Sequence, residues 1–251
     1  MPRFFTDKVS GERIVMTGED ARHMTRSLRM KPGENVTVCD FFNTEYECTV
    51  EKLTDTEVTL KVISSHPSEC EPTVAVTVYQ ALTKGDKFDT IVQKAVELGA
   101  VKIVPVLTER CVSRPDEKSM QKKCERWRKI ALEAAKQCGR ARIPLVSDVR
   151  TVSEAVGEMA ESTLSFVCYE KETEVSLRAY LDSNSEKLDS SGNAASISFL
   201  IGSEGGLSDE EAELFRKNGI ATVSLGKRIL RTETAPIAVL SAVMFRTRNL
   251  E

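Results

Sequence analysis

Apolar and polar residues alternate with a period of two in Gly33–Asp40, Tyr46–Leu53 and Glu57–Val62, and Asp55 sits in the turn between the last two. β-Branched residues at that spacing predict short strands, so residues 1–70 read as a small barrel or curled sheet. One segment departs from the pattern. Gly18–Arg29 has helical spacing, Thr17 or Asp20 as its cap and Pro32-Gly33 as its stop. It carries Arg22, His23, Arg26 and Arg29, either an ordinary solvated face or a basic face that touches phosphates. The polar stretch His66–Pro72, with two prolines, reads as a linker.

Beyond it, apolar runs alternate with longer stretches of helical period. Strands are predicted at Val74–Gln80, Val101–Val106, Leu164–Tyr169, Ile197–Ile201 and Ala221–Leu225. Helices are predicted at Lys87–Leu98 (closed by Gly99), Asp116–Cys138, Ser153–Ala160, from Ser208 onward, and at Thr234–Phe245. Ser208 and Glu211 have capping-box spacing, and Pro236 is tolerated in a first helical turn. Asn184–Ser196 reads as a loop. This alternation implies a parallel sheet covered on both faces. No internal repeat is visible.

Composition narrows the class only a little. Hydrophobic content of 41% and charged content of 29% suit a soluble globular chain, and no apolar run reaches a membrane span. The N-terminus lacks the apolar core of a signal peptide, so a cytoplasmic location is expected. Seven cysteines with no CxxC pair, and only His23 and His66, give no basis for a metal site or a disulfide framework. A net charge of −3 argues against indiscriminate nucleic-acid binding and leaves room for a local basic face.

Two glycine-bearing strand ends carry the chemistry. Ile201-Gly202-Ser203-Glu204-Gly205-Gly206 holds more glycines than one strand–helix turn needs, and reads as that turn or as a ligand loop. Glu204 there disfavours a phosphate and suits a ribose hydroxyl or a cationic ligand. Leu225–Thr234, LGKRILRTET, sets Ile229 and Leu230 among charges, either as plugs of a surface loop or as a clamp on an adenine. No GxGxxG and no P-loop pattern occurs, so a nicotinamide or P-loop reading loses its support. Lys84 and Lys87 open a helix, where cations oppose the dipole and hint at a phosphate, or are solvated beside Asp86. Arg110 reads as part of a loop, and Arg140 and Arg142 flank Ala141 just after Gly139, in a place suited to RNA contact. Trp127 is expected to pack, with base stacking as the alternative. No residue stands out as general base.

Taken together, RHMTRSLRMKPGE (22–34), QALTKGDKFDTIVQKAVELGAVKIVPVLTERCV (80–112), WRKIALEAAKQCGRARIP (127–144), IGSEGGLSDEE (201–211) and LGKRILRTETAP (225–236) resemble the bacterial 16S ribosomal RNA uracil-N3 methyltransferases. These belong to the knotted SPOUT superfamily of S-adenosylmethionine enzymes. The resemblance implies an α/β methyltransferase domain over 73–251 with a C-terminal trefoil knot at roughly 165–245. It also implies a PUA-like β-barrel RNA-binding domain over 1–70, a homodimer, no metal, and 16S rRNA in the small ribosomal subunit as substrate. It places the cofactor against Tyr169, Glu170, Ile201, Gly202, Ser203, Glu204, Gly205, Gly206, Leu225, Gly226, Arg228, Ile229 and Leu230. The family usually has Pro where this chain has Ser203, and often where it has Lys227, so looser loops are expected.

Within that resemblance, methyl transfer to uracil N3 needs help in losing a proton. Arg231 is the first candidate to stabilise the resulting anion, ahead of Arg110 and Arg140. Glu233 or Glu204 would orient it or accept the proton. Arg22, His23, Arg26, Arg29, Lys84, Lys87 and Arg142 are candidates for RNA contact. The same fold acting on another RNA position is the alternative, followed by a non-catalytic RNA-binding assembly factor.

Overall fold

The computed structural model describes residues 1–189 and 195–250, apart from the side chains of Ser10 and Asp189. Two compact units result: Met1–Glu71 with Ala135–Ile143, and Pro72–Ala134 with Pro144–Glu251. A boundary drawn at residue 70 leaves out the segment 135–143, whose tie to the first unit is electrostatic. Glu71 accepts from Arg140 Nη2 at 2.7 Å and from the main-chain nitrogens of Ala141 and Arg142 at 3.0 Å each.

The first unit is a six-stranded sheet. Its strands are β1 (Arg3–Phe5), β2 (Val9–Ser10), β3 (Arg13–Thr17), β4 (Asn35–Cys39), β5 (Thr44–Leu53) and β6 (Glu57–Pro67), in the order β1-β4-β5-β6-β3-β2. Two register shifts, at Glu47/Cys48 and Val50/Lys52, bend β5 against β6. Phe4, Ile14, Met16, Met24, Val36, Val38, Val50 and Leu60 form its core. The strand β6 runs through His66 and Pro67, paired with Glu45 and Thr44, so the first two residues of the expected linker belong to the sheet. The expected helix over Gly18–Arg29 is shorter and mixed. It consists of α1 (Gly18–Arg22) and a π-helical turn, His23–Ser27. Arg29 lies past its end at φ 52°.

The second unit holds a parallel sheet of β7 (Ala75–Ala81), β8 (Lys102–Leu107), β9 (Leu145–Val146), β10 (Arg150–Thr151), β11 (Leu164–Cys168), β12 (Ser196–Ile201) and β13 (Ala221–Val223). The order is β10-β8-β7-β12-β11-β13, with β9 also on β8. Its helices are α2 (Lys87–Glu97), α3 (Glu117–Cys138, whose last turn joins the first unit), α4 (Val152–Ala160), α5 (Leu177–Ser183), α6 (Ser185–Asp189), α7 (Asp209–Lys217) and α8 (Ala235–Arg246). Central strands are buried almost throughout, which explains their unbroken apolar runs. Tyr79, Val104, Val106, Val167 and Leu200 pack with Ala155, Met159, Ala212 and Phe215 of α4 and α7. On α2 and α8 the buried residues include Phe88, Ile91, Val239 and Leu240, and α8 packs on both α2 and β7.

Local signals placed the helix starts well. Thr151 with Glu154, and Ser208 with Glu211, form complete capping boxes. Trp127 packs, stacked on Phe88 at 4.0 Å with Nε1 donating to Asp89 at 3.0 Å. Such a ring pair contributes about 0.5–1.5 kcal/mol beyond its buried area. Within the stretch read as a loop, Ser185–Asp189 is helical, and residues 190–194 lie outside the described residues. The helix α5, capped by the Ser176 hydroxyl, is not legible in the local pattern.

Glu158 of α4 fastens three elements. It accepts from Arg150 at 2.6 Å, Lys102 at 2.8 Å and the Tyr79 hydroxyl at 3.1 Å. Burial alone would raise its carboxyl. The hydrogen bonds and charges of Lys102 and Arg150 outweigh that and bring it down to about 2. A depressed folded value stabilises the protein above the ordinary carboxylate range and loses that stabilisation as the pH falls toward the folded value. The stability difference between the wild type and Glu158→Gln should therefore be constant above about pH 5 and shrink as the pH falls from about 4.5 toward 2. Urea melts across that range test this, and a pH-independent difference contradicts it.

Candidate active site

Every pairing in the second sheet is parallel, so all carboxyl ends lie along one edge. Ligands of open α/β sheets bind outside that edge, where the strand order reverses. Here β7 lies between β8, which follows it in sequence, and β12. A cavity of about 510 Å³ opens at the same edge, beside β7 and over the ends of β11, β12 and β13, a size typical of small-molecule sites. The loops after β11, β12 and β13 form its walls, and Lys87 of α2 joins them.

The loop after β12 folds back on itself. The Gly206 nitrogen donates to the Ser203 carbonyl at 2.9 Å. A Cβ on Gly202 would meet the Gly206 carbonyl carbon at 2.9 Å, so only glycine permits this approach. Gly206 itself has φ +70° and lies under the Glu170 carboxylate. Ser203 is buried, and its hydroxyl donates to the Arg110 carbonyl at 3.1 Å. Arg110 Nη1 in turn donates to the Gly205 carbonyl at 3.2 Å and lies 3.9 Å from Glu170. The looseness expected from Ser203 is thus offset by a direct tie to a neighbouring loop.

The loop after β13 is held at both ends. Ser224 bridges to the segment before α5, accepting from Leu177 at 3.0 Å and donating to Val175 at 2.8 Å. Eight residues later the Thr232 hydroxyl donates to the Gly202 carbonyl at 2.8 Å. Gln80, at the end of β7 and fully buried, joins the two loops. Its Nε2 donates to Thr232 Oγ1 at 3.0 Å, to Ala81 O at 3.1 Å and to Gly202 O at 3.4 Å. Neither Gln80 nor Thr232 stands out in the sequence. The available signal was an amide at the end of an otherwise apolar strand, which must find partners when buried.

Residues 69–244 match the family model described as an RNA methyltransferase domain, and residues 16–63 match the RNA methyltransferase PUA domain. The ribosomal RNA small subunit methyltransferase E of Bacillus subtilis is 35% identical over 94% of this chain and 91% of its own length. The chain belongs to this RNA methyltransferase family. Two solved relatives share the fold. A ribosomal RNA small subunit methyltransferase E from Neisseria gonorrhoeae, bound to S-adenosyl methionine, has a TM-score of 0.84 at 28% identity, covering 98% of this chain and 97% of that one. A methyltransferase from Legionella pneumophila, in complex with the same cofactor, has a TM-score of 0.84 at 30% identity, covering 97% and 96%.

In this family member, Tyr169, Glu170, Ile201–Gly206, Leu225, Gly226 and Arg228–Leu230 all line the one cavity, and so do Arg231 and Glu233. Tyr169 is buried, its hydroxyl bonded to Asp209. Burial pushes the nearby Cys168 thiol upward, so that sulfur stays protonated. Lys87, read as facing a phosphate or as solvated beside Asp86, donates to Glu204 at 2.7 Å and lies 4.0 Å from Glu233. The anion at this helix start is the protein's own, because the Lys84 nitrogen also donates to Glu204 at 3.1 Å. Burial would raise the Glu204 carboxyl, but the Lys87 bond and main-chain donors hold it below the ordinary carboxylate range. Glu204 is therefore engaged with lysine and main chain, not free for a ribose.

Arg140 does not line the cavity. Its side chain is only 4% exposed and its guanidinium grips Glu71, so it holds the first unit together instead of facing a reacting base. Arg22, His23, Arg26, Arg29 and Arg142 are all exposed on the first unit, and Lys84 is exposed on the second.

The two glycine environments separate crowding from propensity. Gly202→Ala should lower unfolding stability by about 1–3 kcal/mol through overpacking against Gly206. Gly157→Ala, in open space within α4, should raise it by about 0.5–1 kcal/mol. Urea melts of both variants check this, and a Gly202→Ala variant as stable as the wild type would show that the loop is not closed as described.

Proposed function

We propose that the chain transfers a methyl group from S-adenosylmethionine to N3 of a uridine in 16S rRNA of the small ribosomal subunit, in the cytoplasm and as a homodimer. The observation that carries this reading is the pair of loops after β12 and β13, locked to each other by Gln80 and Thr232 around one cavity. The residues present suit that cofactor. Ile229 is 78% exposed on a charged loop at the cavity, an apolar side chain with little to cover it until an apolar ring arrives. Leu225 and Leu230 flank it, the glycine loop offers main-chain groups, and Glu170 offers negative charge to a cationic ligand.

When bound, S-adenosylmethionine supplies an electrophilic methyl group on its sulfonium. The chain's own task is to hold the base in line and to remove its N3 proton. Arg231 reaches into solvent with its side chain 84% exposed, and its guanidinium is 4.0 Å from Glu233. It is placed to stabilise negative charge on a uracil oxygen. Glu233 Oε2 is buried, accepts no hydrogen bond among the described residues and lies 4.0 Å from Lys87 Nζ, and its carboxylate is the candidate to orient Arg231 or to take that proton. Arg110, committed to Gly205 and Glu170, shapes the glycine loop.

The C-terminal course of the chain supports the trefoil-knotted form. After β13 it bridges Ser176, then reaches the Gly202 carbonyl through the Thr232 hydroxyl, then turns back through α8 onto α2 and β7. Phe245, 74% exposed at the end of α8, is a surface that a second copy would cover. The first unit supplies the RNA contact through Arg22, His23, Arg26, Arg29 and Arg142. Its match to a PUA domain supports this role.

Incubation with S-adenosylmethionine and unmodified small-subunit RNA, free or assembled, followed by mass identification of the product base, tests the reaction. Methylation at another base would redirect the reading, and no transfer to either substrate would end it. Arg231→Ala should lower turnover by about 10²–10³-fold with cofactor affinity by calorimetry little changed. Near-normal turnover would remove its role. Replacing Arg22, Arg26 and Arg29 by Gln should weaken RNA binding and flatten its dependence on salt by about one unit of log–log slope per lost phosphate contact. An unchanged slope would place the RNA elsewhere.

A further inference from the structure

Phe42 stands on the turn between β4 and β5, 79% exposed. The residues on either side of it have left-handed backbone, Phe41 at φ 67° and Asn43 at φ 78°. A bulky residue seldom adopts that conformation. The turn is fastened in place. Asp40 Oδ1 accepts from the nitrogens of Phe42 at 2.8 Å and Thr44 at 3.1 Å, and Asp40 Oδ2 accepts from the Tyr46 hydroxyl at 3.3 Å. On the other side the Asn43 carbonyl accepts from the Ser68 nitrogen at 2.8 Å, and Asn43 Nδ2 donates to the Ser68 carbonyl at 3.4 Å. The Phe41 ring stacks on Phe5 with centroids 5.5 Å apart. Asp40, Phe41 and Asn43 are thus each tied to the unit, while the Phe42 ring is 79% exposed. An exposed ring adds nothing to the core, so its apolar surface gains only from contact with another molecule.

Charge indicates which molecule. Phe5 of β1 carries Phe41, and the residue before it, Phe4, meets the His23 ring edge-on at 6.0 Å. His23 belongs to the exposed series Arg22, His23, Arg26 and Arg29, for none of whose arginines an ion pair is seen among the described residues. Neighbouring residues of one short strand, facing opposite sides of the sheet, thus touch the cationic segment and the aromatic tip, both within the same unit. Cations for phosphates together with an exposed ring for a base are the chemistry of single-stranded RNA recognition.

We propose that Phe42 stacks on an unpaired base of the substrate RNA, and so helps set where the strand lies on the first unit. The inference rests on the reading that this chain binds RNA, and its test separates the two. Phe42→Ala in the full chain should weaken binding of a single-stranded small-subunit RNA fragment about tenfold or more. The loss should fall on KM for RNA rather than on kcat. The salt slope should stay as in the wild type, because that slope counts charges. Phe42→Trp should restore affinity, and its emission should quench with the single strand and not with a blunt duplex. Trp127, the chain's other tryptophan in that variant, is buried and gives the baseline in the wild type.

Affinity of Phe42→Ala within twofold of the wild type, or equal quenching by duplex, overturns the stacking while leaving RNA methylation standing. A wild type that binds no RNA overturns both. Altered sedimentation of RNA-free Phe42→Ala with unchanged RNA affinity would assign the ring to contact between copies, and also overturns the proposal.

Discussion

The fully buried amide of Gln80 is the constraint on which the site depends. Its nitrogen must be satisfied away from water, and leaving a buried donor unpaired costs about 1–3 kcal/mol. Besides the neighbouring Ala81 carbonyl, the oxygens that satisfy it belong to Gly202 and Thr232, one on each glycine-bearing loop. Both loops are therefore drawn to the end of β7 by one side chain. The Thr232 hydroxyl closes the triangle by donating to the same Gly202 carbonyl. A shift of either loop would orphan at least one group of this network, so displacing the cavity wall costs hydrogen bonds.

Around that fixed centre, charge is distributed unevenly. Lys87 is shared by Glu204 and Glu233, partly buried, with the Glu204 carboxyl held below its usual range. Arg231, on the same loop as Glu233, is almost wholly in solvent. A cation already neutralised at 2.7 Å has little field left for a substrate, whereas the Arg231 guanidinium, 4.0 Å from Glu233 and open to solvent, is less fully compensated. The same contrast separates Arg140 from Arg22 and Arg26. All are arginines in turns or short helices, but the first is consumed by Glu71 and the others face water.

Much of the fold is legible in local pattern because local pattern is what makes it. Ser208 and Glu211 close a capping box three residues apart, and Gly99 ends α2 at φ +90°. The apolar runs of β7, β11 and β12 already imply a sheet covered on both faces. The two glycine loops could be singled out because close backbone approach, as at Gly202, excludes every side chain. Less legible were elements whose stability is borrowed. The strand β6 extends through Pro67 because β5 pairs with it, and the π-helical turn at His23 replaces a regular helix while Met24 is buried in the core.

By itself, the chain's order of residues determined the alternation of strands and helices, their caps, and which two turns were glycine-rich enough to accept a ligand. Those properties arise from neighbours two to four positions apart. Only the tertiary structure decided that Gln80 would meet Thr232, 152 residues away, that Lys87 would be neutralised by Glu204, 117 residues away, and that Arg140 would be spent on Glu71. Those pairings follow from strand order and crossover, which place side chains in contact without any spacing along the chain to announce them.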